Sequence, residues 1–342
     1  MANIQEHGKE HGDILEVHKE CEGEEEGDEI GQDETENLEQ AGMEASKGFK
    51  PGMIHTPQAL DFWQGVLKAP KMLMDILEEG YRLPFAEVPE ENYEEQNNKS
   101  ARDNMTFVRD TAEEWQRQGV VQFVDQKPKV VAPLTVVTRK TAEGSTKMRL
   151  CWDGSRSVNL KLRKEKVNLA HLQTALEITE AGDYQMKYDL SNAYFHIAIY
   201  KEHQTYLGAC YEREDGKKQY FQFQYLPFGL STAVYIMTKI MKPVQAFLAE
   251  KGIRHSIFID DGRVVARSKE QAQEDAKQVL EVLQKAGWQI AEHKSDRPDQ
   301  VSQEKEYLGF IINSRDMTVG LTECKKGQLQ QVAKDLSKAA GQ

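Results

Sequence analysis

Two apolar runs meet at Asp260-Asp261-Gly262 in the stretch IFIDDGRVVA, residues 257–266, and no other short segment constrains the chain as tightly. Asp-Gly between apolar runs is a leading signal for a two-residue hairpin, because both residues tolerate positive φ. The Asp-Gly pair is therefore expected to make the turn. Adjacent carboxylates at the tip of a rigid hairpin can also hold a catalytic divalent metal. A turn needs no function to explain it, so the choice depends on what surrounds the pair.

The surrounding rhythm is regular. YQMKYDL (184–190) reads as a strand whose alternation sets Met186, Tyr188 and Leu190 on one face and Asp189 on the other. AYFHIAIY and YFQFQYL are further strand-like runs, and residues 231–250 read as a helix bent at Pro243 and ended near Gly252. After the hairpin, Ser268 with Gln271 predicts a capping box for a helix carrying Ala272, Ala276, Val279, Leu280 and Leu283, stopped at Gly287. WQIAE and YLGFIIN read as strands. The order strand, helix, hairpin, helix, strand matches the split βαβ, ferredoxin-like topology: an α+β fold with an antiparallel sheet and helices on one face. In that topology the Asp189 strand lies beside the hairpin, and Asp189, Asp260 and Asp261 converge on the open face. Three carboxylates there suit hard cations with oxygen ligands. Two such ions about 4 Å apart stabilise both the attacking and the leaving oxygens of an in-line phosphoryl displacement.

Upstream, residues 49–102 mix Phe62, Trp63, Tyr81 and Phe85 with turn residues and predict short helices packed on the body. Residues 106–119 predict a helix with Phe107, Val108, Ala112 and Trp115 on one face, stopped by Gly119. VVAPLTVVTRK and KMRLCWD predict a hairpin with basic residues at its tip, across the loop TAEGST.

The formal charge of −12 argues against a nucleic-acid binder until it is divided along the chain. Residues 1–46 carry 16 acidic and 2 basic side chains; the rest carries 42 basic and 40 acidic, a net of +2. The first segment has few large apolar residues, so burial cannot offset its ordering entropy, and it is expected to be a disordered acidic tail. Its His7, His11 and His18 have no spacing suited to an ordered site. In the body, Lys161, Arg163, Lys164 and Lys166 form a basic cluster able to neutralise phosphates or simply to solvate a surface. Cys21, Cys151, Cys210 and Cys324 are far apart, which offers neither a zinc module nor a disulfide framework and implies a reducing compartment. Without a signal-peptide core or a run of 18 apolar residues, the expectation is a soluble, intracellular, non-secreted protein with no membrane partner, in cytoplasm or nucleus. The sequons at Asn98 and Asn104 then carry no glycan.

DLSNAYFHI (189–197), LPFGLSTA (226–233), FIDD (258–261), AGWQIAEHKS (286–295) and EYLGFII (306–312) occur in this order. Together they resemble the successive palm motifs of reverse transcriptases of retrotransposons. KMRLCWDGSRSVN (147–159) resembles the fingers segment that precedes them. The resemblance spans about residues 120–315, reaches weakly back to about 50, and in its LPFGLSTA wording is most similar to DIRS-like retrotransposons. It implies a polymerase palm plus fingers: a helical extension over 47–119, fingers over 120–183 with part of 201–225, the palm over 184–315, and the start of a truncated thumb over 316–342.

The resemblance also implies roles. Asp189 and Asp260 would ligate two Mg²⁺ ions, for which Mn²⁺ could substitute, with Asp261 and the Leu190 carbonyl assisting. Arg149 would grip the dNTP triphosphate, with Lys147 as a second contact, and Tyr194 would be the steric gate against ribonucleotides. Phe228 and Gly229 would line the nascent base pair, and Lys294 would protonate pyrophosphate. Partners would be an RNA or DNA template with its primer, dNTPs, and RNase H and recombinase domains encoded elsewhere. The activity implied is RNA-directed DNA polymerisation. Phe258 stands where tyrosine is commoner and Val234 where proline is usual; with little chain left for a thumb, these keep open a retroelement-derived protein that binds nucleic acid or a partner without polymerising.

Overall fold

The computed structural model describes residues 48–140, 146–167 and 172–340; the expectations for the acidic segment 1–46 and for the hairpin tip at 141–145 lie outside them. Four β-assemblies are present among the described residues. Strands β1 (Tyr93–Glu94), β2 (Val121–Val124), β3 (Val130–Val131), β7 (Gly208–Glu212) and β8 (Lys218–Phe223) form a mixed sheet in the order β1-β3-β7-β8-β2. Strands β4 (Leu134–Lys140) and β5 (Thr146–Trp152) form the expected hairpin, with Val137 opposite Arg149. The central sheet is β6-β10-β9, from β6 (Tyr184–Asp189), β9 (Arg254–Phe258) and β10 (Asp261–Ala266). The last is β11 (Glu304–Tyr307), β12 (Phe310–Asn313) and β13 (Thr318–Leu321).

The upstream helices are α1 (Pro57–Gly65), α2 (Lys71–Glu79), α3 (Lys99–Asp103), α4 (Met105–Gln118), the single turn α5 (Val158–Lys161) and α6 (Leu172–Glu177). Helix α4 buries Val108 and Ala112 and ends at Gly119 in the left-handed region, as its periodicity predicts. Helix α7 (Ala233–Glu250) buries Ile236, Met237, Ile240, Met241, Val244 and Leu248, a stripe at helical spacing that packs along β9. Helix α8 (Lys269–Lys285) buries Ala272, Ala276, Val279 and Leu283 and packs on β10 and β6. Its cap is half of the expected box: Ser268 Oγ accepts from Gln271 N at 3.1 Å, but the Gln271 amide turns away to Asp275. Helix α9 (Glu323–Ala340) closes the described chain.

The central sheet is two-faced. Cross-strand partners share a face, so Tyr188 with Gly262 and Met186 with Val264 point one way, into the core under α7 and α8. Asp189 with Asp261, Lys187 with Arg263 and Gln185 with Val265 point the other way. That face is not open along its length. Segment 292–303 and the β11–β13 sheet lie over the Gln185 end, where Gln185 donates to the carbonyls of Gln303 and Ile312.

Three expected elements take other forms. AYFHIAIY opens as a 3₁₀ turn over Ala193–His196, because Ala193, Phe195, His196 and Ile197 are all buried and an alternating strand cannot bury neighbours on one side. WQIAE pairs with β6 only through the Leu190–Ile290 bridge, then turns in 3₁₀ geometry over Glu292–Lys294. YLGFIIN is not one strand but a hairpin, since Leu308 (φ 51°) and Gly309 (φ 73°) reverse the chain between β11 and β12.

Candidate functional site

The opening hairpin forms, but not at Asp-Gly. Asp261 pairs with Phe258, so the two loop residues are Ile259 and Asp260, and Gly262 lies inside β10 opposite Ile257. Packing overrides turn chemistry here: a Cβ at Gly262 would run into the ring of Tyr188, a side chain buried to 1% exposure. Only glycine lets that ring lie across β10. The positive φ that Asp-Gly would have supplied falls instead on Ile259, at 58°, an uncommon and strained conformation for a β-branched residue.

This register sets the site. Leu190 N donates to Asp260 O at 3.0 Å, which makes Asp189 and Asp261 a non-hydrogen-bonded cross-strand pair, the pairing that brings side chains closest. Like charges directly opposite destabilise a sheet. Both hairpin carboxyls accordingly sit above their ordinary range. Burial, then the Asp260 and Asp189 charges, push Asp261 up to about 6; burial, then Asp189, raise Asp260. Asp189 itself is only 8% exposed, and the Lys294 ammonium stands on it, 3.0 Å from Oδ1 and 3.3 Å from Oδ2. Ser295 Oγ accepts from Asp189 N at 2.9 Å, and Ala291 N donates to Asp189 O at 2.8 Å. The chain after Trp288 thus grips the end of β6 and delivers Lys294 to it.

Among the described residues no three His, Cys, Asp or Glu side chains are drawn together closely enough to hold a metal ion. The donor set nevertheless suits a hard divalent cation. Three carboxylates share one edge, two are raised by burial and then by one another's charge, and a lysine ammonium already serves Asp189 as a cation.

Next to the carboxylates lies an aromatic shelf. Phe228 packs edge-on against Tyr194 at 5.1 Å and Phe195 at 5.7 Å, and the Arg149 guanidinium lies 5.2 Å from the Phe228 ring centre. Tyr194 sits on the 3₁₀ turn rather than a strand; burial raises its phenol pKa, and the nearby Asp260 charge raises it further. The loop bearing Phe228 is stapled to the end of β5. Trp152 N donates to Phe228 O at 3.0 Å, and Asn159 Nδ2 donates to Gly229 O at 2.8 Å while Asn159 Oδ1 accepts from Ser231 N. Gly229 is required there: its φ is 106°, and a Cβ would overlap the Trp152 carbonyl. Arg149 and Lys147 alternate along the exposed face of β5.

The fold therefore gathers Asp189, Leu190, Asp260, Asp261 and Lys294 at one sheet edge, and Arg149, Tyr194, Phe228 and Gly229 beside it; for Lys147 no contact brings it to the carboxylates. Sequence reasoning missed Ser295, Asn159 and Tyr307, whose hydroxyl donates to Asp261 O at 3.0 Å. All three lie within the quoted motifs, but nothing in their spacing announces a hydrogen bond to a functional segment.

Residues 137–312, just over half of the chain, match the model of the reverse transcriptase (RNA-dependent DNA polymerase) family. The chain belongs to the reverse transcriptase family. No curated protein matches this reverse transcriptase chain. Among solved structures, it is similar to the prototype foamy virus protease-reverse transcriptase at 18% identity and a TM-score of 0.50, over 70% of this chain and 29% of that one. It is also similar to the foamy viral protease-reverse transcriptase in complex with double-stranded DNA, at 19% identity and a TM-score of 0.53, over 79% of this chain and 57% of that one. The chain thus spans between 29% and 57% of the length of these solved reverse transcriptases, and at such identity the likeness is one of fold. The α+β expectation, a polymerase palm with fingers, holds. Among the described residues no helix is long and apolar enough to cross a membrane.

Proposed function

We propose that this reverse transcriptase chain is an RNA-directed DNA polymerase that joins dNTPs to a primer 3′-hydroxyl on an RNA or DNA template. The observation that carries the reading is the pairing of Asp189 with Asp261 in a close, non-hydrogen-bonded register, with Asp260 on the adjoining turn and the Arg149–Phe228 shelf alongside. When bound at these carboxylates and the Leu190 carbonyl, two Mg²⁺ ions, or Mn²⁺ in their place, supply activation of the 3′-hydroxyl and charge stabilisation of pyrophosphate. The chain does the rest. Arg149, with Lys147 as a second contact, binds the triphosphate through a planar guanidinium fork. Tyr194 closes the floor where a ribose 2′-hydroxyl would fall. Phe228 supports the nascent base pair, and Gly229 keeps that loop against β5. Lys294 holds Asp189 between turnovers and delivers a proton to departing pyrophosphate.

In this reading, residues 47–119 are a helical extension, 120–183 with part of 201–225 the fingers, 184–315 the palm, and 316–342 the start of a thumb. The LPFGLSTA wording supports a DIRS-like retroelement as the source, with RNase H and recombinase functions on other segments, inside the cell.

The test is primer extension by the purified chain on an RNA template with a DNA primer, dNTPs and Mg²⁺ or Mn²⁺. Asp260→Asn should reduce extension by about a thousandfold or more, the scale of losing metal-borne stabilisation of the transition state. Equal extension by both proteins, or none by well-folded wild type, would overturn the proposal.

A further inference from the structure

The metal-facing hairpin is held from outside its own sheet. Tyr307, on β11, is 3% exposed and belongs to a small satellite core with Ala175 and Ile312, separate from the main core. Its hydroxyl reaches out of that core to donate to the Asp261 carbonyl oxygen at 3.0 Å. Burial pushes the phenol up to about 12.

Directly behind lies a second unusual group. Arg263, two residues after Asp261 and on the same face, has no exposed surface, and among the described residues none of its hydrogen bonds goes to a carboxylate, though the Asp183 charge acts on it. Its guanidinium donates only to neutral acceptors: Gln185 Oε1 at 3.0 and 2.7 Å, Ala175 O at 2.8 Å and Thr179 Oγ1 at 2.9 Å. A buried guanidinium held only by neutral hydrogen-bond acceptors is costly. Here it fastens the 172–179 segment, whose Ala175 packs against Tyr307, to the strand that bears Asp261. Gln185 completes the connection, accepting from Arg263 while its amide donates to Gln303 O and Ile312 O. Every polar atom named here has a partner, and the assembly meets the metal-facing hairpin at the Asp261 carbonyl, at Ser256 and at the Phe258 backbone.

We infer that Tyr307 is a positioning residue: its hydroxyl fixes the backbone of Asp261, and with it the Asp260 and Asp261 carboxylates, at the height a divalent cation requires, and Arg263 holds in place the helix and hairpin that back it. The inference rests on the reading of these carboxylates as a cation site. A tyrosine that merely fills a core would contribute to melting and leave cation affinity alone.

Mn²⁺ itself is the probe. Its binding to the full chain is followed by the electron paramagnetic resonance of free Mn²⁺, beside thermal unfolding, for wild type, Tyr307→Phe, Arg263→Lys and Asp260→Asn. Tyr307→Phe keeps the ring and removes the hydroxyl, with its hydrogen bond to Asp261 O and its contacts with Ser256 and the Phe258 backbone. It should weaken Mn²⁺ binding by about three- to tenfold with little change in melting temperature. The Mn²⁺ concentration needed for half-maximal extension should rise by the same factor, with the rate at saturating Mn²⁺ retained. Arg263→Lys, which keeps the charge and loses the fork, should shift affinity in the same direction. If Tyr307→Phe binds Mn²⁺ as wild type does while Asp260→Asn does not, the positioning role is wrong and the cation site stands. If wild type and Asp260→Asn bind Mn²⁺ alike, the cation site itself falls, and this inference falls with it. Should Arg263→Lys fail to fold, Tyr307→Phe still decides.

Discussion

Among the described residues, two hairpins with two-residue loops solve the same problem differently. In β11–β12 the loop is Leu308–Gly309, both residues have positive φ, and glycine occupies the second position, as a type I′ turn prefers. In β9–β10 the loop is Ile259–Asp260, only Ile259 has positive φ, and glycine is displaced to 262, inside the strand. The first keeps its glycine in the turn, although Leu308 sits at φ 51°, and carries none of the carboxylates; its Tyr307 only backs them. The second gives up local turn chemistry twice, placing glycine where the Tyr188 ring must lie and isoleucine where glycine would be comfortable. In exchange, Asp260 sits on the turn and Asp261 faces Asp189. Glycine stays in the turn of the hairpin that backs the site and leaves it in the hairpin that carries the carboxylates.

The largest expected effect tests that contrast directly. Gly262→Ala drives a Cβ into the buried Tyr188 ring and should cost about 3 kcal/mol or more, because the ring has no room to yield. Gly309→Ala meets only the flexible end of Lys325 and a positive φ, and should cost about 1 kcal/mol. Urea unfolding of both variants measures the difference. Equal costs would mean that the two glycines do the same job.

Acidity separates the hairpins next. Burial and neighbouring carboxylates hold Asp261 at about 6, against an ordinary value of 3.8. Between those values the folded protein binds more protons than the unfolded chain, so stability falls as pH rises. This contribution is fully present below pH 3.8 and is lost as pH passes about 6. A bound cation reverses the preference, so the rise in melting temperature caused by Mn²⁺ should grow from about pH 5 to pH 7. Asp261→Asn should flatten that dependence, whereas Gly309→Ala in the other hairpin should leave it intact. A Mn²⁺ effect that ignores pH would argue against the raised carboxyls as its ligands.

Much of this was legible in the chain, for identifiable reasons. The alternation in YQMKYDL placed Asp189 on the face opposite Met186 and Tyr188, because period two is a property of the strand itself. The helices at 233–250 and 269–285 followed from apolar stripes strong enough to survive any packing. What failed was whatever depended on a distant neighbour. The Asp-Gly turn moved because Tyr188, on another strand, needed the space above Gly262. The face carrying Asp189 closed over because β11–β13 folds back on it, and no local pattern signals that return. Tyr307 lay in a quoted motif, but its hydrogen bond to Asp261 joins residues 46 apart.

The smallest expected effect concerns the strained residue itself. Ile259 and Leu308 occupy the same first loop position, with φ of 58° and 51°, so both carry a conformation that asparagine adopts more readily. Ile259→Asn relieves strain and loses partial packing against the main core, two terms of similar size, and should leave stability within about 1 kcal/mol of wild type. Its effect on the site should be the more visible one. Without the isoleucine anchored in the core, Asp260 is less firmly placed, and Mn²⁺ affinity should fall by a factor of about two to three. Leu308→Asn, beside Tyr307 in the hairpin that backs Asp261, should change stability by a similar amount and lower Mn²⁺ affinity by less than Tyr307→Phe does. If Ile259→Asn leaves affinity unchanged, the strain at Ile259 is a consequence of where Gly262 had to go and does nothing for the carboxylates beside it.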